Sequence, residues 1–243
     1  MRCWRKILTK IHGWTVVNQV PNIESTHYDY VVCCMKNLQD VKPSVADIIR
    51  PAVTPGKTAI VLIQNGLNIE KPIVEAFPTN PALSGVTFIG SHEPSPGVIE
   101  HTFKDIMLIG SFDSPNIDKA VSDAAARDFA MRYSAGGKTD CTYVEDANRS
   151  RWEKLLYNGT LNPICAIMRT DTSSLRLSNS IEGLVRPAME EIRAAASAKG
   201  YDLPQSAVQK MIDIDPIDLF FKPSMCVDAI KVQDLTPKIR KSS

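Results

Sequence analysis

Apolar positions in the first half of the chain gather into short runs with polar, helix-spaced stretches between them. Tyr28 to Met35 (YDYVVCCM) and Thr58 to Ile63 (TAIVLI) are apolar runs of strand length, a pattern that suits strands buried on both faces of a parallel sheet. Between them, Val41, Val45, Ile48 and Ile49 recur at helical spacing within Asn37 to Arg50. Pro51, Pro55 and Gly56 then return the chain to the sheet. Asn68 to Phe77 (NIEKPIVEAF) predicts another helix, with Asn68 as N-cap and Pro72 early enough to be tolerated. Strand, helix, strand, helix predicts a parallel α/β sheet.

The pattern then changes. Leu83 to Ile89 and Gly97 to Ile109 are extended pieces around Pro94 and Pro96, and predict an antiparallel excursion of the same sheet. Asn116 to Tyr133 has helical character, Gly136 and Gly137 break it, and Cys141 to Val144 is a short strand. From Asp146 onward the chain reads as helices: Asp146 to Met168, then Pro187 to Lys199 with Gly200 as a C-terminal stop. The expected organisation is an α/β domain over residues 1–144, a partial Rossmann-like parallel sheet, followed by an all-α domain over residues 145–243.

Composition narrows the partners. The chain has 243 residues, with 28 Lys+Arg against 27 Asp+Glu and a net charge of +1, so nothing marks it for nucleic acid or an anionic membrane surface. A hydrophobic fraction of 44% and a charged fraction of 23% belong to a folded globular chain. No apolar run approaches the roughly 18–20 residues of a membrane span. A small-molecule partner is the expectation.

Six cysteines form no C-x-x-C pair, and none lies near a pair of the four histidines, so neither a zinc site nor a disulfide framework is expected. Cys33 and Cys34 are adjacent and point to opposite faces of a strand. Reduced, buried, structural thiols favour an intracellular, cytoplasmic chain. The Asn158 sequon lies in a helix expected to be buried, which also disfavours secretion. From Met1 to Ile23 there are four basic residues and no acidic one; this keeps a mitochondrial destination open.

The segment Arg151 to Met168 (RWEKLLYNGTLNPICAIM) carries the most chemistry. Read as one helix at roughly 100° per residue, it places Lys154, Asn158 and Asn162 within about 80° of one another. Apolar residues fill almost all of the remaining circumference. A narrow polar seam on an otherwise apolar helix predicts a polar ligand pocket, because a buried ammonium needs a partner or a cavity. A helix shielding a single solvent strip would show the same pattern. In a pocket, Lys154 could act as general acid, its pKa lowered by burial. Gln64-Asn65-Gly66 directly succeeds the run TAIVLI, and Lys36 succeeds VVCCM in the same way. Asn-Gly is a common hairpin signal, but the residues beyond Gly66 read as helix, and in open parallel sheets ligands gather at strand carboxyl ends.

These residues resemble the ketopantoate reductase (2-dehydropantoate 2-reductase) family, in particular its fungal-type members. The resemblance includes Tyr28 to Lys36, Gln64-Asn65-Gly66, Pro96-Gly97-Val98 with His101, Trp152 to Pro163, Pro204, and Pro223-Ser224-Met225 with Asp228. It implies a Rossmann domain followed by an all-helical domain of the 6-phosphogluconate-dehydrogenase C-terminal kind, with the site in the cleft. It also implies NADPH as cofactor, a 2-oxo acid (ketopantoate) as substrate, and a homodimer as one option. Carried over by position, Lys154 matches the catalytic lysine that protonates the nascent alkoxide. Asn158 and Asn162 match substrate-binding amides, and Ser224 matches a serine that holds the carboxylate. Asn65 matches an asparagine bridging nicotinamide and substrate, Lys36 a lysine near the same junction, and Glu93 a position where backbone approaches the cofactor.

The chain also departs from the family pattern. Among its 12 glycines no two are spaced as G-x-G, so the phosphate-cradling G-x-G-x-x-G loop is missing from this sequence. Thr172 and Phe221 replace substrate-binding asparagines, and Thr236 stands where a glutamate is expected. The resemblance therefore implies a chain shortened at both ends. A reductase, a non-catalytic remnant that keeps the pocket for binding or subunit contact, and a relative acting on another 2-oxo or 3-hydroxy acid all remain open at this point.

Overall fold

A computed structural model of the chain describes residues 17–22, 27–38, 40–95 and 97–231. Most of the basic stretch from Met1, Pro96, and the tail that contains Thr236 lie outside the described residues. The chain divides into two compact units, Met1–Asn148 and Arg149–Ser243.

The first unit is built on a five-stranded sheet whose order is β1-β2-β3-β6-β7. Strands β1 (Tyr30–Cys33), β2 (Ala59–Leu62) and β3 (Ala82–Phe88) run parallel to their neighbours. Strand β6 (Asp105–Ser111) returns antiparallel to β3, and β7 (Thr139–Tyr143) runs parallel to β6. The expected antiparallel excursion is therefore β6. The residues before it do not join this sheet: β4 (Ser91–Ser95) and β5 (Val98–His101) pair only with each other.

Alternation along the strands sends side chains to two cores. Ile60 and Leu62 pack with Ile49 and Ile73 from α1 (Val45–Ile49) and α2 (Lys71–Ala76) on one face. Val61, Leu83, Met107 and Ile109 pack under Ala126 and Phe129 of α3 (Lys119–Ser134) on the other. Strand β2 is buried at every residue, as its unbroken apolar run requires. Strand β1 differs: it is the sheet edge among the described residues, and Val32 is 42% exposed, so the first run is not buried on both faces.

Two helices are shorter than the spacing predicts, and proline explains both. Pro43 cannot occupy a helix interior, so α1 begins at Val45, where Ser44 and Asp47 form a reciprocal capping box. In the second, Asn68 is not the N-cap. It takes a left-handed turn conformation (φ +59°), which asparagine tolerates, and α2 starts at Lys71 with Pro72 in its first turn. Glu70, at that start, is fully buried and accepts a 2.6 Å hydrogen bond from Ser84 Oγ on β3, which fastens the helix entrance to the sheet.

The second unit is helical: α4 (Ala147–Asn158, beginning just before the unit boundary), α5 (Leu161–Met168), α6 (Thr172–Leu177), a π-turn (Ile181–Val185), α7 (Arg186–Ala198), α8 (Gln205–Ile212) and α9 over 224–231. The expected single helix through Arg151–Met168 is broken after Asn158. A proline at 163 would drive its ring into the carbonyl of Gly159 in a continuous helix; here Pro163 falls in the first turn of α5 instead. At Gly159 any Cβ would lie 2.7 Å from Ile192 Cδ1 of α7. Gly200 (φ +87°) ends the helix after α7, its N–H donating to Ser197 O. This combination of a mostly parallel sheet with flanking helices and a helical unit is the expected fold class.

Candidate active site

In the helical unit, the break between α4 and α5 preserves the polar seam. Asn162 Nδ2 donates to Asn158 Oδ1 at 3.0 Å, so the two amides remain neighbours although their helices are separate. Asn162 is 6% exposed, and its Oδ1 is buried without a hydrogen-bond partner among the described residues. Such an atom carries a desolvation cost that a ligand donor would offset.

Lys154 lies one turn before Asn158 on α4. Burial, and secondarily the charge of Arg151 one turn earlier, push its ammonium down to about 8 from an ordinary 10.5. Arg151 is itself buried. Near neutral pH such a lysine is charged yet gives up its proton readily, which is the property a general acid needs. Ser224 is exposed at the first position of α9, after buried Pro223.

In the sheet unit, Lys36 and Asn65 occupy equivalent positions. Cys33 pairs with Leu62 in the parallel register, so each candidate stands three residues beyond a paired position, at the carboxyl ends of adjacent strands. Both are exposed. Gln64 is buried and its Nε2 donates to Met35 O at 2.8 Å, so it joins the two loops. Gly66 (φ +126°) comes next, and a Cβ there would lie 2.9 Å from Ile69 Cγ2; only glycine fits this turn without strain. Glu93 lies on exposed β4, and its Oε1 accepts from Gly97 N–H within the same hairpin. The structure therefore groups Lys154, Asn158 and Asn162, separately groups Lys36 and Asn65, and places Glu93 on the hairpin.

Three further groups take their surroundings from the fold. Asp105, 6% exposed at the start of β6, stands at the end of the sheet where β3 terminates, because Ile106 pairs with Phe88. Tyr133 Oη donates to Asp105 Oδ2, and Asp105 Oδ1 has no partner among the described residues. Thr172 and Phe221, both departures from the family pattern, bond to one another: Thr172 N–H donates to Phe221 O at 2.9 Å. Among the cysteines, Cys33, Cys165 and Cys226 are buried thiols as expected, but Cys34 is exposed, because it succeeds Cys33 on the opposite face of an edge strand.

No group of His, Cys, Asp and Glu among the described residues could hold a metal ion, and no described helix is long and apolar enough to cross a membrane. For a dinucleotide the residues fit at one end only. Lys36 and Asn65 are exposed polar groups at the carboxyl ends of adjacent strands, the type of group a nicotinamide ring needs beside it. The loop from β1 to α1 holds no glycine, and the loop from β2 to α2 holds Gly66 alone, with Ile69 Cγ2 packed 2.9 Å from where a Cβ at Gly66 would lie.

Two family models match the chain. Ketopantoate reductase PanE/ApbA matches residues 6–114, and Ketopantoate reductase PanE/ApbA C terminal matches residues 146–235. The uncharacterized protein YDL144C of Saccharomyces cerevisiae is 32% identical over 251 residues, covering 92% of this chain and 69% of the yeast protein. A 2-dehydropantoate 2-reductase of Nostoc is 24% identical, covering 91% of this chain and 66% of the relative. Among solved structures, 2-dehydropantoate 2-reductase from Methylococcus capsulatus has a TM-score of 0.71 at 31% identity, covering 87% of this chain and 64% of that one. D-mandelate dehydrogenase with NADH and anilino(oxo)acetate shares the fold, with a TM-score of 0.72 at 20% identity, covering 86% of this chain and 65% of that one. The chain thus spans about two thirds of the length of these relatives. Matched in both its sheet unit and its helical unit, the chain belongs to the ketopantoate reductase family.

Proposed function

We propose that the chain carries the substrate chemistry of a ketopantoate reductase, the reduction of a hydroxylated 2-oxo acid to the 2-hydroxy acid. The observation that carries this reading is the desolvated ammonium of Lys154 one turn from Asn158 and the unpartnered buried oxygen of Asn162. A 2-oxo acid such as ketopantoate offers a carbonyl that gains negative charge on reduction, a carboxylate, and a hydroxyl. Lys154 Nζ would donate to the carbonyl oxygen, stabilise the charge growing there and deliver the proton. Asn162 Oδ1 would accept the substrate hydroxyl, and the exposed Ser224 hydroxyl would donate to the carboxylate. Lys36 and Asn65 would serve the cofactor side, with Glu93 at its margin.

NADPH, when bound, supplies the hydride that goes to the carbonyl carbon. Lys36 and Asn65 would serve its reacting end, and no G-x-G spacing is present to cradle its phosphates, so the binding expected of this 243-residue chain is weak. That same feature favours a second reading, a chain that binds the 2-oxo acid without turning it over.

Calorimetric titration with ketopantoate, together with a spectrophotometric assay for NADPH oxidation, tests both. Binding with turnover that falls about 10²-fold or more in Lys154→Ala supports the reductase. Binding without turnover supports the second reading. A chain that neither binds ketopantoate nor consumes NADPH contradicts both.

A further inference from the structure

One half-buried titratable pair in the helical unit takes no part in the proposed substrate chemistry. Tyr157 Oη donates to Asp215 Oδ2 at 2.6 Å. Tyr157 lies on α4 three residues after Lys154, so the two side chains leave the helix about 60° apart. Asp215 lies in the non-helical segment between α8 and α9, which leads into Ser224, the first residue of α9. Burial raises the Asp215 carboxyl above its ordinary range, against the opposing hydrogen bonds of Tyr157 and Thr172 and the charge of Arg176. Burial and the adjoining carboxylate likewise raise the Tyr157 hydroxyl.

The same segment is fastened at several further points. Arg176 donates to Asp215 O at 2.7 Å and to Asp213 Oδ1 at 2.9 Å. Gln209 Nε2 donates to Asp213 Oδ2, and Arg186 donates to Gln209 Oε1 at 2.7 Å. Phe220, in a left-handed conformation (φ +51°), is held by its N–H on Ser173 Oγ at 3.0 Å, next to the bond between Thr172 and Phe221. These ties reach α6, α7 and α8; Tyr157 carries the fastening to α4, the helix of Lys154 and Asn158. A phenylalanine would fill the same space without holding a hydroxyl against a half-buried carboxylate, and a desolvated polar pair rarely exceeds an apolar isostere in stability. What the pair adds is a defined register between two elements.

We propose that the Tyr157–Asp215 hydrogen bond is a clasp that sets where Ser224 stands relative to Lys154 and Asn158. Tyr157 is thereby a positioning residue for the 2-oxo acid, a role that rests on the proposed reading of Lys154, Asn158 and Ser224 as substrate-binding groups. The clasp fixes the segment, and the segment presents the hydroxyl.

The test uses the full chain with Tyr157→Phe, Asp215→Ala and the double variant, and reads two quantities. Amide hydrogen exchange at Leu219 and Phe220, which donate to Pro216 O and Ser173 Oγ, should quicken about tenfold in each single variant, with the amides of α7 unchanged. Ketopantoate affinity should fall about tenfold in each, and no further in the double variant, with little change in melting temperature. Wild-type exchange at Leu219 and Phe220 in Tyr157→Phe overturns the clasp, as does additive loss of affinity in the double variant. If the wild-type chain takes up no ketopantoate, the proposed function fails, and the exchange measurement alone decides whether the clasp holds the segment.

Discussion

Asn162 donates its side-chain amide to Asn158 at 3.0 Å and leaves its own carbonyl oxygen buried and unpartnered among the described residues. A protein optimised for stability alone would not keep that oxygen, since an unsatisfied buried acceptor costs about 1–3 kcal/mol. Asn162→Ala should therefore cost less stability than an ordinary buried amide, under about 1 kcal/mol, while weakening ketopantoate binding about tenfold. Urea unfolding and calorimetry on the same preparation check both halves, and a large loss of stability with unchanged affinity would assign Asn162 to the fold instead.

Lys154 gives stability a definite dependence on pH. Its folded value, about 8, lies below the ordinary 10.5, so below about 8 both states hold the proton and the burial cost is present in full. Between about 8 and 10.5 the folded chain releases the proton first and becomes relatively more stable; above 10.5 the cost is gone. Lys154→Met should accordingly stabilise the chain at neutral pH by roughly 1–3 kcal/mol, with the gain vanishing toward alkaline pH. Thermal unfolding across this range checks the sign.

Gly66 directly follows Asn65 in the turn beyond β2. With φ at +126° and Ile69 Cγ2 2.9 Å from any Cβ, Gly66→Ala combines backbone strain with a clash and should cost roughly 1–3 kcal/mol. Chemical denaturation measures it; a neutral result would mean the turn rearranges freely.

Ser84 donates to the fully buried carboxyl of Glu70 at 2.6 Å. Removing the hydroxyl in Ser84→Ala should lower stability by roughly 1.5–3 kcal/mol, whereas Ser84→Thr, which keeps the donor on a strand, should cost less. Denaturant midpoints of the two variants separate the hydrogen bond from the packing.

The features legible in the sequence are those that local spacing encodes. The run Ala59–Leu62 announces a doubly covered strand because every residue in it is apolar and buried. The step of four residues from Lys154 to Asn158 to Asn162 marks the seam, and it survives the break because Pro163 restarts the helix within one turn. The break itself is also legible, in the clash between Pro163 and the carbonyl of Gly159, but the apolar periodicity masks it. Long-range pairs are different in kind. Tyr157 meets Asp215 58 residues away, and Thr172 meets Phe221 49 residues away; no periodicity carries that information. The exposure of Val32 is equally hidden, since it depends on the order of strands and not on the run that contains it.

That Lys154 is a half-buried acid facing a 2-oxo acid is checked by titrating its side-chain nitrogen by NMR in the 243-residue chain, with and without saturating ketopantoate. We expect a midpoint of about 8 in the free chain, and a move upward when the substrate carboxylate settles nearby and favours the charged ammonium. A midpoint near the ordinary 10.5, unmoved by ketopantoate, would contradict it.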